Sequence, residues 1–146
     1  MDRKEFIKKC GLVCLGLSST GLLLQSCISS KISTGDLKGA VLHVHEDEFL
    51  IEKNGEQKYR KYIILQNPNL QFPICVFRYA DNNFKAILMQ CTHQGSELQV
   101  FGERLVCSAH GSEFNNLGNV TNGPAEANLR TFPVEISNNE LKIPIV

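Results

Sequence analysis

Two short boxes of this 146-residue sequence hold the residue types that bind metals: Cys91-Thr92-His93-Gln94-Gly95 and Cys107-Ser108-Ala109-His110-Gly111. Each offers one thiolate and one imidazole. A structural zinc ion accepts such ligands, but zinc sites favour C-x₂₋₄-C and H-x₃₋₅-H pairs, whereas each box here mixes the two types. Gly95 and Gly111 follow the histidines closely, where a tight backbone around a bound group needs glycine. Thirteen residues separate His93 from Cys107. Within that gap Glu97-Leu98-Gln99-Val100-Phe101 and Arg104-Leu105-Val106 flank Gly102-Glu103, a hairpin pattern that turns the chain back and brings the boxes together.

The elements that must carry these boxes are short strands. Asn54-Gly55 separates Phe49-Leu50-Ile51 from Tyr62-Ile63-Ile64-Leu65, and Asp81-Asn82-Asn83 separates residues 74–79 from 84–89. Ser137-Asn138-Asn139 separates 132–136 from 141–146. Apolar runs bounded by Asn, Asp and Gly read as hairpins of an all-β domain, and no helical periodicity follows the N-terminal segment. The expected architecture is an antiparallel β sandwich or small barrel.

The chain suffices for one domain, assigned to residues 39–146 after a linker over 28–38. Fifteen Lys and Arg balance fifteen Asp and Glu, which gives no support to nucleic-acid binding. Of six cysteines, Cys10, Cys14 and Cys27 lie at the N-terminus and Cys75, Cys91 and Cys107 in the globular part, an odd number that argues against a complete disulfide framework. Cys75, in the apolar run Pro73-Ile74-Cys75-Val76-Phe77, reads as a buried thiol. His43 and His45 share one strand face, read as solvated rather than as a metal site, since no third ligand is near.

C-x-H followed by C-x-x-H resembles the signature of the Rieske [2Fe–2S] family. Ser112 after His110-Gly111 fits it, and Val120-Thr121-Asn122-Gly123-Pro124-Ala125 resembles the family's proline-containing loop over the cluster. The resemblance implies a [2Fe–2S] cluster with Cys91 and Cys107 on one iron and His93 and His110 on the other. It also implies a cluster-binding hairpin subdomain and histidines near the surface, their ring nitrogens open to protons. Gly95, Gly111, Ser112, Phe114 and Pro124 would surround the ligands. Rieske subunits of cytochrome bc complexes carry a disulfide between the two loops, and the matching positions here are Ser96 and Ala109. Those subunits also direct a serine and a tyrosine hydroxyl at the cluster; Ser112 keeps the first, while Phe114 replaces the second.

Residues 1–27 read as an export signal. A basic start is followed by an apolar run from Gly11 to Leu24, too short for a comfortable membrane span. Leu24-Gln25-Ser26-Cys27 resembles a lipobox, which would lipidate Cys27. Arg3-Lys4-Glu5-Phe6-Ile7-Lys8 resembles a twin-arginine motif, a route for proteins exported already folded. Together these features imply a membrane-tethered, extracytoplasmic electron-transfer protein whose partner is a redox protein or a quinol. It would be an oxidoreductase only as part of a complex. Other readings are a Rieske subunit of a quinol:cytochrome c reductase-like complex, the small subunit of a periplasmic molybdenum oxidase, and a redox-silent metal-binding surface module.

Overall fold

A run of consecutive apolar residues suits a strand covered on both faces, and residues 73–77 lie in such a place. The computed structural model describes residues 4–5, 30–80 and 82–146. Cys27 and all of the expected signal except residues 4–5 lie outside them. No helix of the described residues is long and apolar enough to cross a membrane.

The first strands are β1 (Ile32–Ser33), β2 (Asp36–Lys38) and β3 (Val41–His45), followed after a 3-10 turn by β4 (Leu50–Lys53), β5 (Glu56–Tyr59) and β6 (Tyr62–Leu65). Next come β7 (Ile74–Ala80), β8 (Asn83–Leu88), β9 (Gln99–Phe101), β10 (Arg104–Val106) and β11 (Glu113–Asn115). The chain ends with β12 (Val120–Asn122), β13 (Thr131–Phe132), β14 (Glu135–Ser137) and β15 (Glu140–Pro144). They form a central sheet β1-β6-β7-β8-β13, an outer sheet β14-β15-β3-β2, and a sheet β12-β11-β10-β9 that carries the second box and borders the first.

Alternation along the central strands explains the layering. Tyr62, Cys75, Phe77 and Ile87 point to one core, shared with Leu105 and Phe114 beneath the two boxes. Their neighbours Ile63, Leu65, Ile74, Val76 and Ala86 point to the other, shared with Leu42, Leu141 and Ile143 of the outer sheet. Each fully buried valine, leucine, isoleucine or phenylalanine among them contributes about 1.5–3 kcal/mol. The all-β expectation therefore holds, and Cys75 is the buried thiol it was read to be.

Three details differ from the sequence reading. Residues from Ile32 onward, assigned to a linker, are already paired: β2 joins β3, and β1 runs along β6. The β1–β6 pair is parallel (Ile32 opposite Ile64), so the sheets are not wholly antiparallel. Asn54-Gly55, both at positive φ, joins β4 to β5 rather than to Tyr62–Leu65. All four residues of β5 are exposed, so this strand has no apolar alternation for a reading of hydrophobicity to detect. The turns at 82, 102–103 and 138–139 do join the strands expected, with Asn82, Gly102, Asn138 and Asn139 at positive φ.

Candidate metal centre

The two boxes are loops of the same backbone design. In the first, between β8 and β9, the amide of Cys91 donates to the carbonyl of Ser96 (2.8 Å) and the amide of Gly95 to that of Cys91 (2.8 Å). In the second, between β10 and β11, Cys107 donates to Ser112 (2.8 Å) and Gly111 to Cys107 (2.9 Å). Both glycines occupy the left-handed region, at φ 75° and 79°. A Cβ on Gly111 would meet nothing within 4 Å, so conformation rather than crowding demands glycine there. The cysteine thus opens each loop at its base. The histidine follows two residues later in one and three later in the other, which offsets the two imidazoles.

That construction puts the sulfurs inside and the imidazoles outside. Cys91 and Cys107 are 2% and 1% exposed, whereas His93 is half-buried and His110 exposed. The histidine rings meet edge to face with centroids 4.9 Å apart. Burial works to raise the Cys107 thiol. The amide of Ala109, the Cys91 side chain, the amide of His110 and the Ser96 hydroxyl outweigh it and hold the thiol below its ordinary value. Ser96 of the first loop thus lends a donor to Cys107 of the second.

The surrounding residues close over both loops. Ser112 is completely buried, and its Oγ accepts from the amide of Ala125 (3.0 Å), leaving its own proton to donate. Asn122 Nδ2 donates to the carbonyl of Gly111 (3.2 Å), and Thr92 Oγ1 to that of Ala127 (2.6 Å). Pro124 therefore lies on a segment fastened to both boxes. Thr92 and Asn122 escaped the reading of the sequence, because a single hydroxyl and amide carry no spacing signal. Phe114 is completely buried, opposite Leu105 in the sheet under the second box.

His93 Nδ1 is buried with no hydrogen-bond partner, the condition of an atom held for a metal. Among the described residues no three of His, Cys, Asp or Glu converge on one point as a single ion would require. A binuclear cluster asks instead for two ligands per iron, and the two thiols within hydrogen-bond reach and two adjoining imidazoles supply that. The residues fit the group.

His43 and His45 do not join this site. They lie on the far face of the outer sheet, His43 half-buried and His45 exposed. His43 Nδ1 stands 3.3 Å from Glu140 Oε1. That imidazole, helped by Lys38 and Lys142 against slight desolvation, holds the Glu140 carboxyl below the usual range.

Comparisons with known proteins agree with this geometry. Residues 42–133 match the Rieske [2Fe-2S] domain family, a span containing both boxes and the segment closing over them. The plasma membrane Rieske protein PetC3 of the cyanobacterium Synechocystis is 27% identical over 57% of this chain and 85% of its own, with a TM-score of 0.49. Naphthalene 1,2-dioxygenase is 20% identical over 73% of this chain but only 26% of its own, with a TM-score of 0.53. The Sphingomonas yanoikuyae ferredoxin is 21% identical over 60% of this chain and 87% of its own, with a TM-score of 0.45. No curated protein matches the sequence.

Proposed function

This chain belongs to the Rieske [2Fe-2S] domain family, and from that premise we propose that it is a membrane-tethered, extracytoplasmic one-electron carrier or oxidoreductase subunit, with Cys91 and Cys107 on one iron and His93 and His110 on the other. The observation that carries the ligand assignment is the pair of matched loops, with buried thiols at their base and imidazoles at their tip. When bound, the cluster supplies reversible one-electron chemistry at potentials of about −150 to +300 mV, against about −400 mV for all-cysteine plant-type ferredoxins.

The protein's own residues divide the remaining work. The two cysteines anchor the cluster in an apolar floor of Leu105, Phe114 and Leu98, which excludes water from the sulfurs. Exposed His110 gives the shortest route to a partner. Ser112 directs a hydroxyl proton from beneath the second loop. Cys27 and the Arg3-Lys4 start support tethering outside the cytoplasm, through a lipid or an uncleaved anchor, with a redox protein or quinol as partner.

Between the readings of partner, Ser96, Ala109 and Phe114 favour a carrier over a quinol-oxidising subunit: the loops lack a covalent bridge and one hydroxyl donor. Visible and EPR spectra of the purified protein, followed by film voltammetry, test both levels. A Rieske spectrum with a midpoint below the upper part of the family range is expected. A colourless zinc protein would refute the cluster, and a midpoint at the top of the range would restore the quinol reading.

Phe114→Tyr probes the tuning directly. A new hydroxyl hydrogen-bonding to the ligand sulfur favours the reduced form; at about 1.4 kcal/mol it raises the midpoint by about 60 mV. An unchanged or lower midpoint in voltammetry would show that residue 114 does not tune the site.

A further inference from the structure

We propose that the end of the domain opposite the two boxes rests on the lipid bilayer, so that His93 and His110 face the aqueous phase. The inference rests on the reading of Cys27 as the lipidated residue.

Exposed apolar side chains are not scattered over this domain. Among the described residues the large ones are Ile32 (61% exposed), Tyr59 (48%), Tyr79 (39%), Phe101 (55%), Leu117 (47%) and the C-terminal Val146. Tyr59, Tyr79, Phe101 and Leu117 gather at one end, and Ile32 flanks it in a groove that runs along β9 from Phe101 to Glu97. Phe101 precedes the β9–β10 turn, whose Glu103 meets Lys61 at 3.2 Å, and Tyr79 Oη donates to the carbonyl of Asn116 beside Leu117 (2.5 Å). Tyr59 and Gly102 share an apolar groove of about 250 Å³ with Ser30 and Tyr62. Ile32 follows Ser30, whose hydroxyl bonds that of Tyr62 (2.8 Å). A contiguous patch of this kind marks an interaction surface, and tyrosine and phenylalanine suit the membrane interface.

The occupant follows from where the chain arrives. Ser30 lines the apolar groove of the patch and is only three residues beyond Cys27. Three residues reach at most about 10 Å, so acyl chains on Cys27 would hold this end at the membrane and leave little room for the domain to turn over. Of the nearby cations, Lys58 meets Glu56, Lys61 meets Glu103 and Arg104 meets Glu113, while Arg60 lines the groove and Arg78 lies over the Tyr59 ring (3.9 Å). Contact is therefore apolar and should depend little on salt or anionic lipid. From Glu103 to Cys107 the chain climbs four residues, about 13 Å, away from that surface. An electron partner would accordingly meet the histidines in water and not within the bilayer.

The sequence has no tryptophan, so a single one reports on its surroundings. Phe101→Trp and, at a second position of the patch, Leu117→Trp would be made in the full chain. Each would be purified with its cluster and reconstituted into phosphatidylcholine vesicles, with or without brominated acyl chains. Glu126→Trp, on the segment over the boxes, serves as the counterpart. Both patch variants should shift to the blue and lose most of their emission to the brominated lipid, at low and high salt alike, while Glu126→Trp is unaffected. Quenching of Glu126→Trp alone would overturn the orientation. A vesicle-bound protein whose patch tryptophans are shielded from both brominated lipid and aqueous iodide would assign the patch to a protein subunit and overturn the proposal. If the wild-type chain fails to sediment with vesicles, the tethering itself fails and the orientation with it.

Discussion

Cys107→Ser is expected to yield a protein without iron or acid-labile sulfide, colourless in the visible and silent by EPR after reduction. Three buried cysteines occupy the same core, and burial does not distinguish them: Cys75, Cys91 and Cys107 are 0%, 2% and 1% exposed. Their hydrogen-bond donors do. Cys75 has only apolar surroundings, and burial pushes its thiol far up, so it stays protonated and is a poor ligand. Cys107 is surrounded by the amides of Ala109 and His110 and the Ser96 hydroxyl, which favour the thiolate that iron requires. Cys75→Ala should therefore keep full cluster content and lose about 1–3 kcal/mol of stability through the space it leaves. Because cluster binding is coupled to folding, Cys107→Ser should also unfold at lower denaturant concentration than the holoprotein. Iron and sulfide analysis with parallel denaturation curves checks both variants. Bleaching by Cys75→Ala with retention in Cys107→Ser would reverse the assignment.

His110→Cys is expected to retain a cluster and lower its midpoint by roughly 100–350 mV, about half the gap between Rieske centres and plant-type ferredoxins. Charge sets the shift. A thiolate in place of a neutral imidazole adds one negative charge beside the iron, and the added electron is then less welcome. His110 is the better of the two histidines for the exchange, since it is exposed on its loop, whereas the Nδ1 of His93 is buried. EPR-monitored redox titration gives the shift. A midpoint equal to that of the wild type would show that His110 is not a ligand.

Much of the site was legible before any coordinates. Cys91, His93, Cys107 and His110 stand at a spacing that few other chemistries share, and the hairpin between the boxes is signalled by Gly102. The turn residues also marked most hairpins, because positive φ is tolerated by few residue types. What escaped was signalled by neither spacing nor hydrophobicity. Strand β5, exposed throughout, looked like loop, and β1 formed its parallel pair from a stretch that looked like tether. Thr92 and Asn122 bond across 35 and 11 residues, and such partners are chosen only when the layers assemble, as is the bond of Ser112, itself legible, to Ala125.

The sequence by itself determined the all-β class and the family and marked the candidate ligands, since each depends on residue identity and local spacing. Only the tertiary structure decided that Cys107, of three equally buried thiols, is surrounded by donors, that the two unlike boxes are one loop design used twice, and that the imidazoles lie outermost. It also gathered Tyr59, Tyr79, Phe101 and Leu117 at the opposite end, with Ile32 on its flank. Those residues are scattered over 86 positions of the chain, from 32 to 117, and become one surface only because strand pairing and sheet layering bring them there.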